Sequence, residues 1–372
     1  MTHTYYYELM MQELEKPYCR FENRDEFIEA FRLLLTPQQA EVWLAFPDFS
    51  LLEEDPPALP LSAIRSRIRP ELNPDLISMV KDMEKKIFLV CMGERAGEKV
   101  YMRNYVFGLA KTYVFKKGHP LEKPCTNWFY NVTIMDDMRL GLAIDHSFEV
   151  TLPHEGALTG NSRHGKIPMN LKIPDTREIV PYDLASKAVE EASRCAVRPC
   201  ICRQVAGAKG TKECSYEASY CIALNEVADA SIASGEGIEK TKEKTLDILK
   251  KCRDMGMVQQ INNANHPYSI CNCCKDCCLC LISLAKGERK ISKPSRFVAS
   301  AAGGCIQCGI CMKFCPMEAI RMTIGGALVI PRQCIGCGVC VSKCPKGALT
   351  LLRKDPDSPK EREIPKEKRP YL

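Results

Sequence analysis

Several features that would classify this chain quickly are missing. No stretch approaches the run of about 18 apolar residues that a membrane-spanning helix needs, so no membrane span is expected. The first ten residues, MTHTYYYELM, carry neither a basic segment nor an apolar core. No secretory signal is expected, and a cytoplasmic setting is. No G-x-G-x-x-G fingerprint occurs, which argues against an integral nicotinamide or flavin site. Lys and Arg exceed Asp and Glu by 52 to 46, for a formal charge of +6. The basic residues are scattered, without one dominating patch, so the excess is no signature of nucleic-acid binding. Histidines are few, and His146, His154 and His164 show no pairing by spacing. Residues 1–115 hold only Cys19 and Cys91.

Cysteine is what the rest of the chain has. There are 23 in 372 residues, and 20 of them fall between Cys195 and Cys344. Disulfide scaffolds are a device of short secreted chains, whereas this chain has length for two or three domains with real cores. The thiols are therefore expected to be reduced and largely metal ligands.

Their densest register is CIQCGICMKFCP from Cys305, repeated as CIGCGVCVSKCP from Cys334. Each half is C-x2-C-x2-C-x3-C-P. Three thiolates at steps of three can wrap one cluster from a tight loop, while Pro316 and Pro345 help end each loop. Gly309, Gly336 and Gly338 are expected where a Cβ would crowd a sulfur. Ile306, Ile310, Ile335 and Val339 are expected to keep water from the metal. Zinc or a disulfide knot would not need two identical registers, each closed by proline. From about Ala299 to Leu352 the chain resembles the bacterial-type dicluster ferredoxins. That resemblance implies two [4Fe–4S] clusters with crossed ligation. Cys305, Cys308 and Cys311 would share a cluster with Cys344, and Cys334, Cys337 and Cys340 would share one with Cys315. Two such clusters, each net negative with its four thiolates, would also offset most of the formal positive charge.

Towards the N-terminus, apolar residues from Phe27 to Leu44 fit helical faces broken near Pro37. A short helix is expected over Leu61 to Ile68. Asn73 and Pro74 are expected to open a helix through Lys86, with Leu76, Met79, Val80 and Met83 inward. Strands are expected at Ile87 to Cys91 and Val100 to Val106, around GERAGE. Three helices and a hairpin in that order describe a winged-helix-like domain. Its basic residues Arg65, Arg67, Arg69, Lys81, Lys85 and Lys86 are interleaved with Asp82 and Glu84. A solvated face explains them as well as phosphate contacts do, so DNA binding is possible but not favoured. Trp128, Phe129 and Tyr130 read as core. Pro153, Pro168, Pro174 and Pro181 suggest extended connections.

Between 181 and 295 a helix is expected from Tyr182 to Cys195. Pro199 then ends regular structure before Cys200-Ile201-Cys202-Arg203. A second helix is expected over Glu239 to Met255, capped by Gly256, followed by a strand from Met257 to Ile261. Cys252 reads as a packed thiol. The candidate metal ligands are Cys200, Cys202, Cys214, Cys221, Cys271, Cys273, Cys274, Cys277 and Cys278. In extended backbone, Cys200 with Cys202 and Cys271 with Cys273 would form two pincers. A helical 273–278 would also pair Cys273 with Cys277 and Cys274 with Cys278. Soft thiolates select iron–sulfur clusters, zinc or Cu(I). The neighbouring ferredoxin pattern favours iron and sulfide over zinc and over a redox dithiol. The segments PCICR and ICNCCKDCC, ahead of a dicluster ferredoxin, resemble a group of 4Fe–4S binding proteins from anaerobes, which implies electron transfer without naming a substrate. Arg203 could offset thiolate charge or bind an anion, and His266 could donate a proton; an ion pair and a loop hydrogen bond are the plainer roles.

The expected fold class is α+β. Its parts are a winged-helix-like domain (1–115), a connecting segment (116–180), a cysteine-rich domain (181–295), a dicluster ferredoxin domain (296–352) and a charged, mobile tail (353–372). The expected function is cytoplasmic electron transfer between a redox partner protein and a further cysteine-ligated, iron–sulfur site. The alternatives are a redox-responsive DNA-binding regulator and a reductase whose substrate meets the middle metal.

Overall fold

The computed structural model describes residues 4–15, 21, 23–47, 58–104, 106–134, 149–159, 183–217, 220–287, 292–301 and 303–354. Cys19, His146, His164, Pro168, Pro174, Pro181 and the tail beyond 354 lie outside the described residues. Both helices and sheets are present, so the fold is α+β. The chain divides into two compact units, Met1–Ala143 and Ile144–Pro370. Among the described residues, no helix is long and apolar enough to cross a membrane.

The first unit opens with α1 (Thr4–Glu15), α2 (Arg24–Leu34) and α3 (Pro37–Ala45). Pro37 is the first residue of α3, where its missing N–H is harmless. Thr36 and Gln39 form a capping box in front of it. Then come β1 (Leu59–Pro60), α4 (Leu61–Arg65), α5 (Leu76–Lys85), β2 (Leu89–Arg95) and β3 (Glu98–Arg103). Helix α5 starts later than Asn73 and Pro74 suggest: the preceding residues are spent on a 3-10 turn and its continuation, and Asp75 is the N-cap. The strands run further into GERAGE than expected. Ala96 and Gly97, both with positive φ, make a two-residue turn that matches strand twist. The antiparallel sheet has the order β1-β3-β2.

Two more helices, α6 (Val106–Tyr113) and α7 (Glu122–Ile134), complete this unit. Helix α7 falls in the stretch read as a connection. Its Trp128 is buried and stacks on Phe21 at 5.9 Å. Asn127 donates to Glu26 at 2.7 Å. Burial of these aromatics against α2 is what turns a proline-flanked segment into an ordered helix.

The second unit contains β4 (Glu149–Leu152), α8 (Glu155–Thr159), α9 (Ala185–Glu191), β5 (Cys195–Arg198), α10 (Ile201–Ala208), β6 (Cys221–Leu224), α11 (Asn225–Ala233) and β7 (Ile238–Lys240). It continues with α12 (Lys242–Met255), β8 (Val258–Asn262), β9 (Ser269–Cys273), α13 (Leu279–Ala285) and β10 (Ser292–Lys293). The strands form one seven-stranded sheet of order β10-β4-β8-β9-β6-β5-β7. Its β10–β4 pairing is parallel and the others are antiparallel. Val150, Leu152, Val189, Ile222, Leu224, Leu249, Ile261 and Ile270 make a common core. Helix α12 begins after Thr241, whose side chain accepts from Lys244 N–H, and ends at left-handed Gly256. Cys195 opens β5 rather than closing a helix.

The unit ends with β11 (Phe297–Ala301), α14 (Ile310–Phe314), β12 (Ile320–Thr323), β13 (Gly326–Val329), α15 (Val339–Lys343) and β14 (Leu349–Arg353). Two antiparallel pairs, β11 with β14 and β12 with β13, bracket two loop-and-helix turns of the same design. Arg296 donates from Nε (3.0 Å) and Nη2 (2.5 Å) to the carboxylate of Asp183. Both side chains are almost fully buried, and they fasten the start of this subdomain to the segment ahead of α9.

Candidate metal centres

The two C-terminal registers build matching loops. Gly309 and Gly338 are left-handed N-caps of α14 and α15, and Cys315 and Cys344 are the C-caps. Each short helix therefore carries the third cysteine of its loop and releases the fourth from its end. Cys305, Cys308, Cys311 and Cys344 line one small cavity. Cys315, Cys334, Cys337 and Cys340 line a second of the same size. Four thiols around a small apolar space fit a [4Fe–4S] core, and the fourth thiol of each set comes from the other loop. Backbone N–H groups donate to sulfur: Ala319 to Cys315 and Ala348 to Cys344, both at 3.2 Å, and Ala299 to Cys334 at 3.4 Å. Such donors stabilise thiolate charge and tune a cluster's potential. Burial pushes the Cys337 thiol up to about 12 and raises Cys340 well above the usual range. These buried sulfurs favour the neutral form until a metal takes the proton's place.

The glycines serve a different purpose from the one expected. A Cβ at Gly309 would meet no atom within 4 Å, so the requirement there is its φ of +72°. A Cβ at Gly336 would lie 2.1 Å from the Phe297 carbonyl oxygen, and at Gly338 it would strike Ala157. These two glycines admit neighbouring structure, not sulfur. Among the described residues, a sulfur does crowd Gly326, where a Cβ would come within 3.3 Å of Cys305 Sγ and 2.9 Å of its Cβ. The two cavities also differ in shielding. Ile335 and Val339 are buried beside the second, but Ile306 is 56% exposed and Cys308 is exposed at the first.

Apart from Cys252, the ten cysteines between 200 and 280 fall into two groups. Cys200 is the extended N-cap of α10 and Cys202 lies in its first turn. Pro199 therefore precedes a helix instead of ending regular structure. Cys271 and Cys273 are alternate residues of β9 and share a face. These four, with Cys221 and Cys278, close a ring of neighbouring thiols, and Cys280 adjoins Cys278. Cys200, Cys271 and Cys278 are held well below the usual thiol range by hydrogen bonds from their neighbours. The donors Cys202, Cys221, Cys273 and Cys280 are pushed well above it. Cys280 is a member that spacing alone passed over, although its i+2 relation to Cys278 was the available signal.

Cys214, Cys274 and Cys277 form the second group, with Asp276. The 273–278 stretch is not helical. After β9 it makes a turn, so the neighbouring pairs are Cys273 with Cys278 (3.0 Å) and Cys274 with Cys277. Burial works against the Asp276 charge. The Cys277 thiol and the N–H groups of Cys214 and Glu213 outweigh it and bring the carboxyl down to about 2.

Arg203 sits beside both groups and is 2% exposed. It donates to the carbonyls of Asn272 and Glu217, and its guanidinium lies 5.7 Å from the centre of the Tyr216 ring. Burial opposes its charge, but the Cys200 and Cys274 thiolates more than compensate and raise its pKa further. Of its two suggested roles, this position suits charge offset; the side chain is closed off from any soluble anion. His266 Nε2 lies 3.1 Å from Glu226 Oε2, a plain hydrogen-bond contact. Cys252 is fully buried in α12, and burial lifts it to about 12.

The ring and the second cavity share one apolar cluster. Cys273 and Cys278 pack with Val258, Leu281 and Leu284, and with Ile335, Cys337 and Val339 of the C-terminal loops.

Residues 298–345 match the family model of a 4Fe-4S dicluster domain. No curated protein and no solved structure matches the chain. The dicluster match and the cysteine groups support [4Fe–4S] cluster binding and an iron–sulfur protein.

Proposed function

We propose that this is an electron-transfer protein that relays single electrons between a redox partner and a cysteine-ligated centre in its middle region. The carrying observation is the apolar cluster that holds Cys337 together with Cys273 and Cys278. In this reading Cys305, Cys308, Cys311 and Cys344 hold one [4Fe–4S] cluster, and Cys315, Cys334, Cys337 and Cys340 hold the other. Cys200, Cys202, Cys221, Cys271, Cys273 and Cys278, with Cys280 adjoining, hold a further iron–sulfur centre. Seven neighbouring thiols exceed the four positions of one tetrahedral ion, which supports a polynuclear centre. Bound clusters would supply one-electron chemistry; the chain supplies the order. Exposed Cys308 and Ile306 make the first cavity the side that meets a partner. Ile335 and Val339 keep water from the second, and Arg203 offsets charge at the ring.

The N-terminal unit fits a winged-helix-like domain, with helices ahead of a hairpin and sheet order β1-β3-β2. Its arginines are occupied: Arg69 binds Glu41 through Nε and Nη2, and Arg65 reaches the Asn73 carbonyl. That supports a packing role over sequence-specific DNA binding.

The test is anaerobic redox titration followed by EPR on the full chain. Magnetic coupling between a dicluster signal and a third centre, removed by Cys273→Ser with both dicluster signals kept, agrees with the relay. A middle centre that stays redox-inert throughout contradicts it.

A further inference from the structure

The cysteine doublets 273–274 and 277–278 are divided between the two groups. Cys273 and Cys278 neighbour one another in the ring, whereas Cys274 and Cys277 both approach Cys214. Each doublet thus supplies one thiol to each side. A single centre would have no use for this division.

The geometry points to a separate mononuclear zinc site formed by Cys214, Cys274 and Cys277 with Asp276. The Cys214 sulfur lies 3.5 Å from that of Cys274 and 3.8 Å from that of Cys277. All four donor atoms lie within 4.8 Å of one another. A tetrahedral ion with metal–sulfur bonds of about 2.3 Å separates its thiolates by about 3.8 Å. The donor count agrees as well: three thiolates and one carboxylate fill one tetrahedral ion.

Asp276 also orients the site. Its Oδ2 accepts from the N–H groups of Glu213 (2.9 Å) and Cys214 (2.8 Å). This clasp brings the loop after α10 onto the turn that carries Cys274 and Cys277. Such support fixes the donors before metal arrives. The ion would sit in the wall of an open cleft that also touches Tyr216, Lys313 and Cys315. Zinc has no redox chemistry of its own. Its role is to hold the wall between the ring and the C-terminal loops, and Arg203 beside Cys274 offsets the net negative charge.

The experiment uses full-length protein purified anaerobically, with zinc, iron and acid-labile sulfide measured per chain. Cys214→Ser is expected to lose about one zinc while iron and sulfide stay unchanged. Asp276→Asn is expected to weaken zinc retention against a chelator about 10–100-fold. Should Cys214→Ser fail to fold, exchange of zinc for Co²⁺ in the unaltered protein decides. Tetrahedral thiolate–cobalt absorption is the expected result. Loss of iron and sulfide from Cys214→Ser, or neither zinc nor a cobalt spectrum in the unaltered protein, overturns the site. Loss of one zinc from Cys214→Ser, in a protein whose ring holds zinc and no iron, would contradict the relay and leave this site standing.

Discussion

Replacing Gly336 with alanine should damage the second C-terminal cavity far more than an equally left-handed glycine elsewhere in the subdomain would. Gly336 has a φ of +69°, and an added Cβ would stand 2.1 Å from the Phe297 carbonyl oxygen and 2.2 Å from Ser295 Oγ. Neither obstacle can easily retreat. Ser295 Oγ donates to the Gly336 carbonyl at 2.8 Å, and Ser295 N–H donates to the Ile335 carbonyl at 3.0 Å. Phe297 is fully buried and opens β11. The left-handed conformation costs alanine about 1–2 kcal/mol. Forcing the carbonyl aside adds about 1–3 kcal/mol, as for an overpacked core. Gly303, with φ +87° and open space around its Cβ, should incur only the first amount. The assay is the urea concentration at which half of the iron is released to a chelator, under anaerobic conditions. Gly336→Ala should lower it clearly more than Gly303→Ala, and the signal lost first should belong to the cluster of Cys334, Cys337 and Cys340. Equal shifts for the two variants would refute the reasoning from steric contact.

Three further outcomes are expected. Cys315→Ser should alter the EPR of the cluster held by Cys334, Cys337 and Cys340 and spare the one held by Cys305; the opposite pattern would end the crossed assignment. Asp183→Asn removes the carboxylate that holds the buried Arg296, and should cost about 3–5 kcal/mol in the unfolding of the second unit, followed by urea denaturation; an unchanged midpoint would show the pair to be dispensable. The full chain should bind DNA only in the non-specific range of about 10⁻⁴–10⁻⁶ M at physiological salt; nanomolar binding to one site would favour a regulator.

The repeated C-terminal register was legible because it is local. Two short loops, each closed by a cap and a proline, carry their own geometry, and the cavities of four thiols follow from it. Helix α12 was legible for a similar reason, since an apolar stripe ending at Gly256 is a stop signal read in place. What spacing could not show was set by distant partners. Helix α7 owes its order to Phe21 and Glu26, about a hundred residues earlier. The division of the two doublets depends on Cys214 and on the turn after β9, and neither leaves a periodic trace. A helical stretch would have paired Cys273 with Cys277; the turn pairs it with Cys278. The role of Gly336 was likewise hidden, because the atoms it admits belong to Ser295 and Phe297 and not to its own loop.

The central claim is that the middle region holds redox-active iron in addition to the dicluster domain. Iron and acid-labile sulfide counted on anaerobically purified full-length protein, beside Cys273→Ser, test it most directly. The account predicts more than the roughly eight iron atoms of two [4Fe–4S] clusters, with the excess lost in Cys273→Ser and the dicluster EPR unchanged. Eight iron atoms in both proteins, with zinc in place of the excess, would contradict it.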